Sequence, residues 1–200
     1  MTEIKNRFYY NLHRFLKPLA RFLWPVRIEG REYMDEDNVI LCPNHSHAMD
    51  PISLLFALPS EKPLRIMAKK QIMDVPILGA FLKKFGVFGV DRGNSDIVAV
   101  KTAIGSLKGG YTMMIFPEGT RVEKQGEVQA KSGVAMMAIR SGVKLQPVYI
   151  DPKQGLFRRT RIVFGEAFSP VYTGRKGTAE EYQANADEVL RRAYALGDSI

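Results

Sequence analysis

The chain has 200 residues and a mass of 22.5 kDa, 46% of it hydrophobic and 25% charged, which excludes a disordered, collagen-like or coiled-coil protein and suits one domain with a real core. Lys and Arg number 29 against 21 Asp and Glu, a net charge of +8, so polyanionic company is expected: nucleic acid, an anionic membrane or a phosphorylated substrate. The single cysteine, Cys42, excludes an internal disulfide. No run approaches the ~20 apolar residues of a transmembrane helix, and no signal-peptide pattern is expected at the start.

Residues 4–27 come first. Phe8, Tyr9, Leu12, Phe15, Leu16, Leu19, Phe22 and Leu23 follow 3.6-residue spacing, with Lys5, Arg7, Arg14, Lys17, Arg21 and Arg27 between them. This predicts an amphipathic helix, kinked or split at Pro18. Docking on its own domain and lying in a lipid interface both explain the pattern, each on a different face. Residues 38–42 read as a short buried strand. Residues 51–58 read as a helix with Asp50 as N-cap and Pro51 at its first position. Strands are expected at 64–68, 86–90, 111–116, 145–150 and 161–164, with Pro147 marking an edge or a bulge. Helices are expected at 77–85, at 96–108 up to Gly109-Gly110, and at 132–141 up to Gly142. Residues 172–177 read as a surface loop, and Thr178 with Glu181 forms a capping box for a last helix at about 179–196. Strands alternate with helices through 38–150. The fold class is therefore α/β: a single domain with a mixed central sheet flanked by helices, behind an N-terminal amphipathic helical segment. The boundary falls between residues 1–27 and 28–200.

Two clusters carry most of the chemistry. Asn44-His45-Ser46-His47-Ala48-Met49-Asp50 joins a strand to a helix, where α/β proteins place reactive groups. A carboxylate on one nitrogen of His45 fixes its tautomer and leaves the other nitrogen to take a proton. His45, His47 and Asp50 also resemble the start of a metal-ligand run, but the run lacks further ligands and the outer groups that would orient them, since the only other histidine, His13, lies in the amphipathic segment. Cys42 paired with His45 as a nucleophile is disfavoured by its place inside an apolar strand. Phe116-Pro117-Glu118-Gly119-Thr120-Arg121 also follows a strand. Its arginine suits a phosphate, its glycine admits close backbone approach, and its threonine adds a donor. Weaker signals are Gly86-Val-Phe-Gly-Val-Asp-Arg92, a charged pair ending a strand, and Lys131-Ser132-Gly133, a cation at a helix start.

Taken in order, Asn-His-x4-Asp at 44–50, Gly-x3-Val-x-Arg at 86–92, Phe-Pro-Glu-Gly-Thr-Arg at 116–121 and an apolar strand with Pro147 resemble the glycerolipid acyltransferases, most nearly the bacterial lysophosphatidate acyltransferases. The resemblance spans roughly residues 28–170. It implies transfer of a fatty acyl group from acyl-CoA or acyl carrier protein to the sn-2 hydroxyl of lysophosphatidate, forming phosphatidate for phospholipid synthesis. Another acceptor, glycerol-3-phosphate or a different lysophospholipid, is the alternative. His45 is then the general base and Asp50 its orienting carboxylate. Arg92 and Arg121 hold the acceptor phosphate, Glu118, Gly119 and Thr120 shape its pocket, and Lys131 is a third cation. No metal or cofactor is implied and no nucleic acid. The expected partner is an anionic membrane surface, met peripherally from the cytoplasmic face. Two positions depart from the family pattern. Family members often have Gln-Ser at Ser46-His47, which leaves the base unaffected. A bulky residue is usual at Gly89, which bears on the acyl pocket or substrate preference. A non-enzymatic membrane- or nucleic-acid-binding module explains the charge but not a paired His and Asp beside an arginine-bearing turn.

Overall fold

The structure, a computed structural model, describes residues 2–34, 38–59, 64–91 and 96–198, with side chains from residue 10 onward. Among these residues one seven-stranded sheet has the order β1-β7-β6-β2-β5-β3-β4. The strands are β1 (Val26–Glu29), β2 (Val39–Pro43), β3 (Leu64–Lys69), β4 (Val87–Val90), β5 (Thr112–Met114), β6 (Lys144–Ile150) and β7 (Thr160–Phe164). The helices are α1 (Thr2–Leu23), α2 (Asp50–Ala57), α3 (Lys70–Met73), α4 (Leu78–Lys84), α5 (Ile97–Lys108), α6 (Gly133–Ser141) and α7 (Ala179–Asp198). Five neighbouring strands, β6, β2, β5, β3 and β4, run parallel; β7 pairs antiparallel to β6, and β1 runs parallel to β7.

Every residue of β2 is buried, as a central parallel strand covered on both faces requires. Val39 and Leu41 join a core beneath α2 with Leu54, Ile66, Met114 and Phe164. Ile40 and Cys42 face the opposite core, with Leu107, Met113, Ala135, Leu145 and Val189 from the other helical layer. The mixed sheet between helices is the architecture the sequence predicts. The capping box also forms reciprocally: the Thr178 N–H donates to Glu181 Oε2 at 2.7 Å, and the Glu181 N–H donates to Thr178 Oγ1 at 3.3 Å.

Several expectations are corrected. α1 continues unsplit through Pro18, because Leu12, His13, Leu16 and Ala20 hold both halves against the body. His13 Nε2 lies 3.0 Å from the Leu55 carbonyl, with its ring stacked on Phe56, and Lys17 Nζ donates to the Leu58 carbonyl at 2.6 Å. β1 follows directly after Trp24-Pro25, where only Val26 and Ile28 signal it. The helix expected at 77–85 forms as α4, and what the sequence did not signal is the short α3 that precedes it in a tight hairpin. Asp50 is the first residue of α2 rather than its N-cap, and no side chain caps that helix. Pro147 is not at an edge, since β6 lies between β7 and β2, but a bulge does face it: Val148 pairs with Phe164 and Leu145 with Phe168, so three residues beyond β7 oppose Gln146 and Pro147, while on the other side Pro147 stays in register with Cys42. Its carbonyl accepts from the Gly165 N–H at 2.9 Å, on the β7 side. A strand residue's N–H and C=O point the same way, so the missing donor falls on that side as well and the β2 ladder loses nothing.

Candidate active site

Three adjacent parallel strands, β6, β2 and β5, end side by side, and the loops leaving them build the site. The Ile115 N–H donates to the Leu41 carbonyl at 3.0 Å, which sets the turn after β5 beside the loop after β2. On the other side, buried Asn44 clamps the end of β6. Its Nδ2 donates to the Ile150 carbonyl at 3.0 Å, and the Ile150 N–H donates to its Oδ1 at 2.7 Å.

His45 and Asp50 meet. His45 Nδ1 lies 2.8 Å from Asp50 Oδ2, with Asp50 fully buried and the imidazole 16% exposed. The carboxylate can only accept, so Nδ1 carries the proton and Nε2 is left as the basic nitrogen. Asp50 Oδ2 also accepts the Ser46 and His47 N–H groups at 2.8 Å each, which folds the loop back on the first turn of α2. Its other oxygen accepts from Gln154 Nε2, and Ser53 Oγ donates to Gln154 Oε1 at 3.0 Å. The His45 ring packs on Phe116, with centroids 4.1 Å apart. His47 does not join the pair: its Nδ1 accepts the Met49 N–H at 3.2 Å. Cys42 is buried with Sγ donating to the Ile40 carbonyl at 3.4 Å, and burial pushes its thiol pKa well up, against a nucleophilic thiolate.

Glu118 turns inward. It is buried, its Oε2 accepts the His45 N–H at 2.6 Å, and its Oε1 accepts the Tyr194 hydroxyl from α7. The Val122 N–H returns a bond to the His45 carbonyl at 2.9 Å, and the Lys131 N–H donates to the Pro117 carbonyl at 2.7 Å. The 117–122 turn is thus tied on one side to His45 and on the other to the start of α6. Gly119 has φ of +71°, and an added Cβ would come within 3.1 Å of Lys131 Cγ. Only glycine fits there, and the Lys131 stem lies over it. Thr120, Arg121 and Lys131 are exposed or partly so. Arg92 lies outside the described residues. Gly89 on β4 faces α3, where an added Cβ would come within 3.2 Å of Lys70 Cα and Met73 Cγ. A bulky side chain there would displace that helix.

Gln154, Ser53 and Tyr194 lay outside the sequence motifs. Gln154 stands 104 residues from Asp50 and Tyr194 76 residues from Glu118, and polar residues in a loop and on a helix carry no local signal of such partners.

Burial raises the Glu118 pKa above the ordinary carboxylate value; the Tyr194 and His45 hydrogen bonds oppose the shift and Asp50 adds to it. Burial, and then Glu118 itself, push the Tyr194 phenol upward, so it stays a donor. A carboxyl whose folded pKa is raised favours folding in its protonated form. Its contribution is therefore present below the unfolded value of about 4.3 and is lost as pH rises through the folded value. Glu118→Gln, a neutral isostere, is expected to remove that loss. Urea denaturation from about pH 4 to pH 8 should show the variant gaining on the wild type through this window. An offset equal at both ends would contradict the raised pKa.

A sequence model of the acyltransferase family matches residues 25–151. A 1-acyl-sn-glycerol-3-phosphate acyltransferase of Bacillus subtilis is 34% identical over 193 residues, covering 92% of this chain and 94% of that one. One of Borreliella burgdorferi is 31% identical over 148 residues, covering 72% of this chain and 58% of that one. The crystal structure of the 1-acyl-sn-glycerophosphate (LPA) acyltransferase of Thermotoga maritima superposes with a TM-score of 0.64 over 95% of this chain and 80% of that one, at 21% identity, and so shares the fold. The chain belongs to the acyltransferase family.

Proposed function

We propose that this chain transfers a fatty acyl group to the sn-2 hydroxyl of lysophosphatidate and forms phosphatidate, the activity its relatives' names carry. The observation that supports it is the His45–Asp50 pair at the end of β2, with Nε2 left basic beside the 117–122 turn. As the acceptor oxygen attacks the thioester carbonyl, Nε2 takes its proton and Asp50 stabilises the imidazolium. The tetrahedral adduct collapses, the C–S bond breaks, and the proton passes from the imidazolium to the departing thiolate. A thiol pKa near 8.5 makes that leaving group good without a strong acid. The donor is acyl-CoA or acyl carrier protein. Arg121, Arg92 and Lys131 receive the acceptor phosphate over Gly119 and Thr120, while Glu118 braces the turn from inside. A panel of acceptors (lysophosphatidate, glycerol-3-phosphate, other lysophospholipids) against both donors, with products read by mass spectrometry, tests this reading. Turnover of an acceptor other than lysophosphatidate in preference to it would overturn the assignment.

Arginine grips phosphate as a planar fork that lysine cannot copy. Arg121→Lys should therefore raise the acceptor KM at least about tenfold, the loss of roughly one charge-assisted hydrogen bond, and leave the donor KM near the wild-type value. Equal changes in both would argue for a structural role.

The enzyme works peripherally at the cytoplasmic face of an anionic membrane. No helix among the described residues is long and apolar enough to cross a bilayer. α1 instead divides its faces: Leu12, Leu16 and Ala20 pack inward, while Phe15, Leu19 and Phe22 point outward, 79%, 56% and 69% exposed, between exposed Arg14 and Arg21. Leu12 therefore serves the fold and does not belong in a lipid-contact variant. Phe15, Leu19 and Phe22 together changed to Ser should weaken sedimentation with anionic vesicles and turnover of membrane-embedded acceptor, and spare a short-chain soluble acceptor. Unchanged vesicle binding would make α1 a packed helix only.

A further inference from the structure

Three non-glycine residues among those described hold positive φ: Asn38, Ile77 and Phe157. Asparagine visits this region readily; a β-branched or aromatic side chain there is strained. Ile77 is 87% exposed and Phe157 is 59% exposed. Two strained residues that also hold large apolar side chains out toward water point to a partner that takes those side chains in.

Both are held there by tight local structure. Ile77, at φ 63° and ψ −55°, is the centre of a three-residue γ-turn of the rare, strained hand, closed by the Leu78 N–H on the Pro76 carbonyl at 2.6 Å. Gly79 then lets α4 close on α3, because a Cβ there would come within 1.9 Å of the Met73 carbonyl oxygen. The Phe157 N–H donates to the Leu23 carbonyl, at the end of α1, at 2.7 Å, and its ring meets Phe22 edge-on with centroids 5.6 Å apart.

The topology puts the two at one end of the molecule. α3 leaves the carboxyl end of β3, and the 151–159 loop leaves the carboxyl end of β6, on the end of the sheet from which His45 emerges. α1 joins them, touching α4 as well as α2 and bonded to Phe157 at its last turn. Exposed cations lie on both segments: Lys69 and Lys70 where α3 begins and Lys84 where α4 ends, with Asp74 in the turn between the helices, and Lys153, Arg158 and Arg159 in the loop that Asp151 opens.

We propose that Ile77 and Phe157 are bilayer-inserting side chains that flank α1 and seat the His45 end of the sheet on an anionic membrane. This rests on the peripheral-membrane reading above and adds two contacts remote from α1 in sequence. Exposed apolar tips on segments with an excess of cations match acyl chains beneath anionic headgroups. An acidic carrier protein would match the cations alone.

Glycine accepts positive φ without strain, so Ile77→Gly with Phe157→Gly deletes both side chains and relieves both turns. The double variant is expected to melt no lower than the wild type and to bind equimolar phosphatidylglycerol–phosphatidylethanolamine vesicles at least about tenfold more weakly. Turnover of a short-chain soluble acceptor should be unchanged. As a second readout, the fluorescence of Ile77→Trp in a Trp24→Phe background should shift blue and be quenched by brominated lipid on adding these vesicles. Wild-type vesicle affinity in the double variant, with no quenching at position 77, overturns the proposal. If the α1 variant loses binding in the same experiment, the peripheral-membrane reading survives that result; if the wild type itself fails to bind, that reading falls as well. A double variant that binds vesicles normally but slows only with acyl carrier protein as donor would make this face a carrier-protein dock and would also overturn the lipid assignment.

Discussion

His45→Ala is expected to lower kcat by about 10²- to 10⁴-fold, the usual worth of a positioned general base, while the protein stays folded. Folding survives because the groups that tie position 45 into the site are backbone groups. The His45 N–H bonds to Glu118 and its carbonyl to Val122, and alanine keeps both. Asp50 keeps the Ser46 and His47 N–H groups and Gln154. What disappears is the Nδ1 bond to Asp50, the packing on Phe116 and the one basic nitrogen. The acceptor KM should change little, since the phosphate is assigned to Arg121, Arg92 and Lys131. Steady-state kinetics beside a circular-dichroism melt checks both halves. A folded variant that keeps more than about a tenth of wild-type kcat would remove His45 from the role of base.

Local pattern made β2 to β7, the helices α2, α4, α5, α6 and α7 and the His45–Asp50 pair legible. Apolar runs bounded by glycine and a capping box act over a few residues, and so does a turn that folds Asp50 back on His45. What stayed hidden depends on partners far apart in the chain. Glu118 sits in a turn with Gly119, Thr120 and Arg121, and its sequence neighbours suggest a ligand contact. Only the packing of α7 shows that the carboxylate faces inward to Tyr194. Pro147 reads as an edge signal until β7 is known to lie on the side where the missing N–H falls. β1 has too few residues to register as a period. The split in α1 between inward Leu12 and outward Phe15 depends on where α2 lies, which spacing alone does not fix.

Asp50→Asn is the second large effect. Asp50 accepts four hydrogen bonds and donates none: His45 Nδ1, Ser46 N and His47 N on one oxygen, Gln154 Nε2 on the other. The substituted amide has one oxygen for these four donors. Turned with its nitrogen toward His45, it would face three N–H groups in a fully buried position, at about 1–3 kcal/mol for the unmet groups. Turned with its oxygen toward His45, it satisfies those three and opposes Gln154. The Gln154 amide can rotate by 180°, offering its oxygen to the new amide nitrogen and its own nitrogen to the Ser53 hydroxyl, which accepts as well as donates. The second arrangement wins, so the variant is expected to fold with a modest stability loss and the same His45 tautomer. The negative charge that stabilises the imidazolium is nevertheless gone. A charge-assisted hydrogen bond is worth roughly 1.5–3 kcal/mol, so kcat should fall about 10- to 100-fold with the acceptor KM little changed. Gln154→Ala separates the contributions. In the wild-type background it removes a donor from a carboxylate and should lower stability. In the Asp50→Asn background it removes the partner that had to turn over, so the two changes should be non-additive by at least about 0.5 kcal/mol. Additive losses in urea denaturation would mean that Gln154 does not hold Asp50, and wild-type kcat in Asp50→Asn would mean that Asp50 does no more than shape the loop.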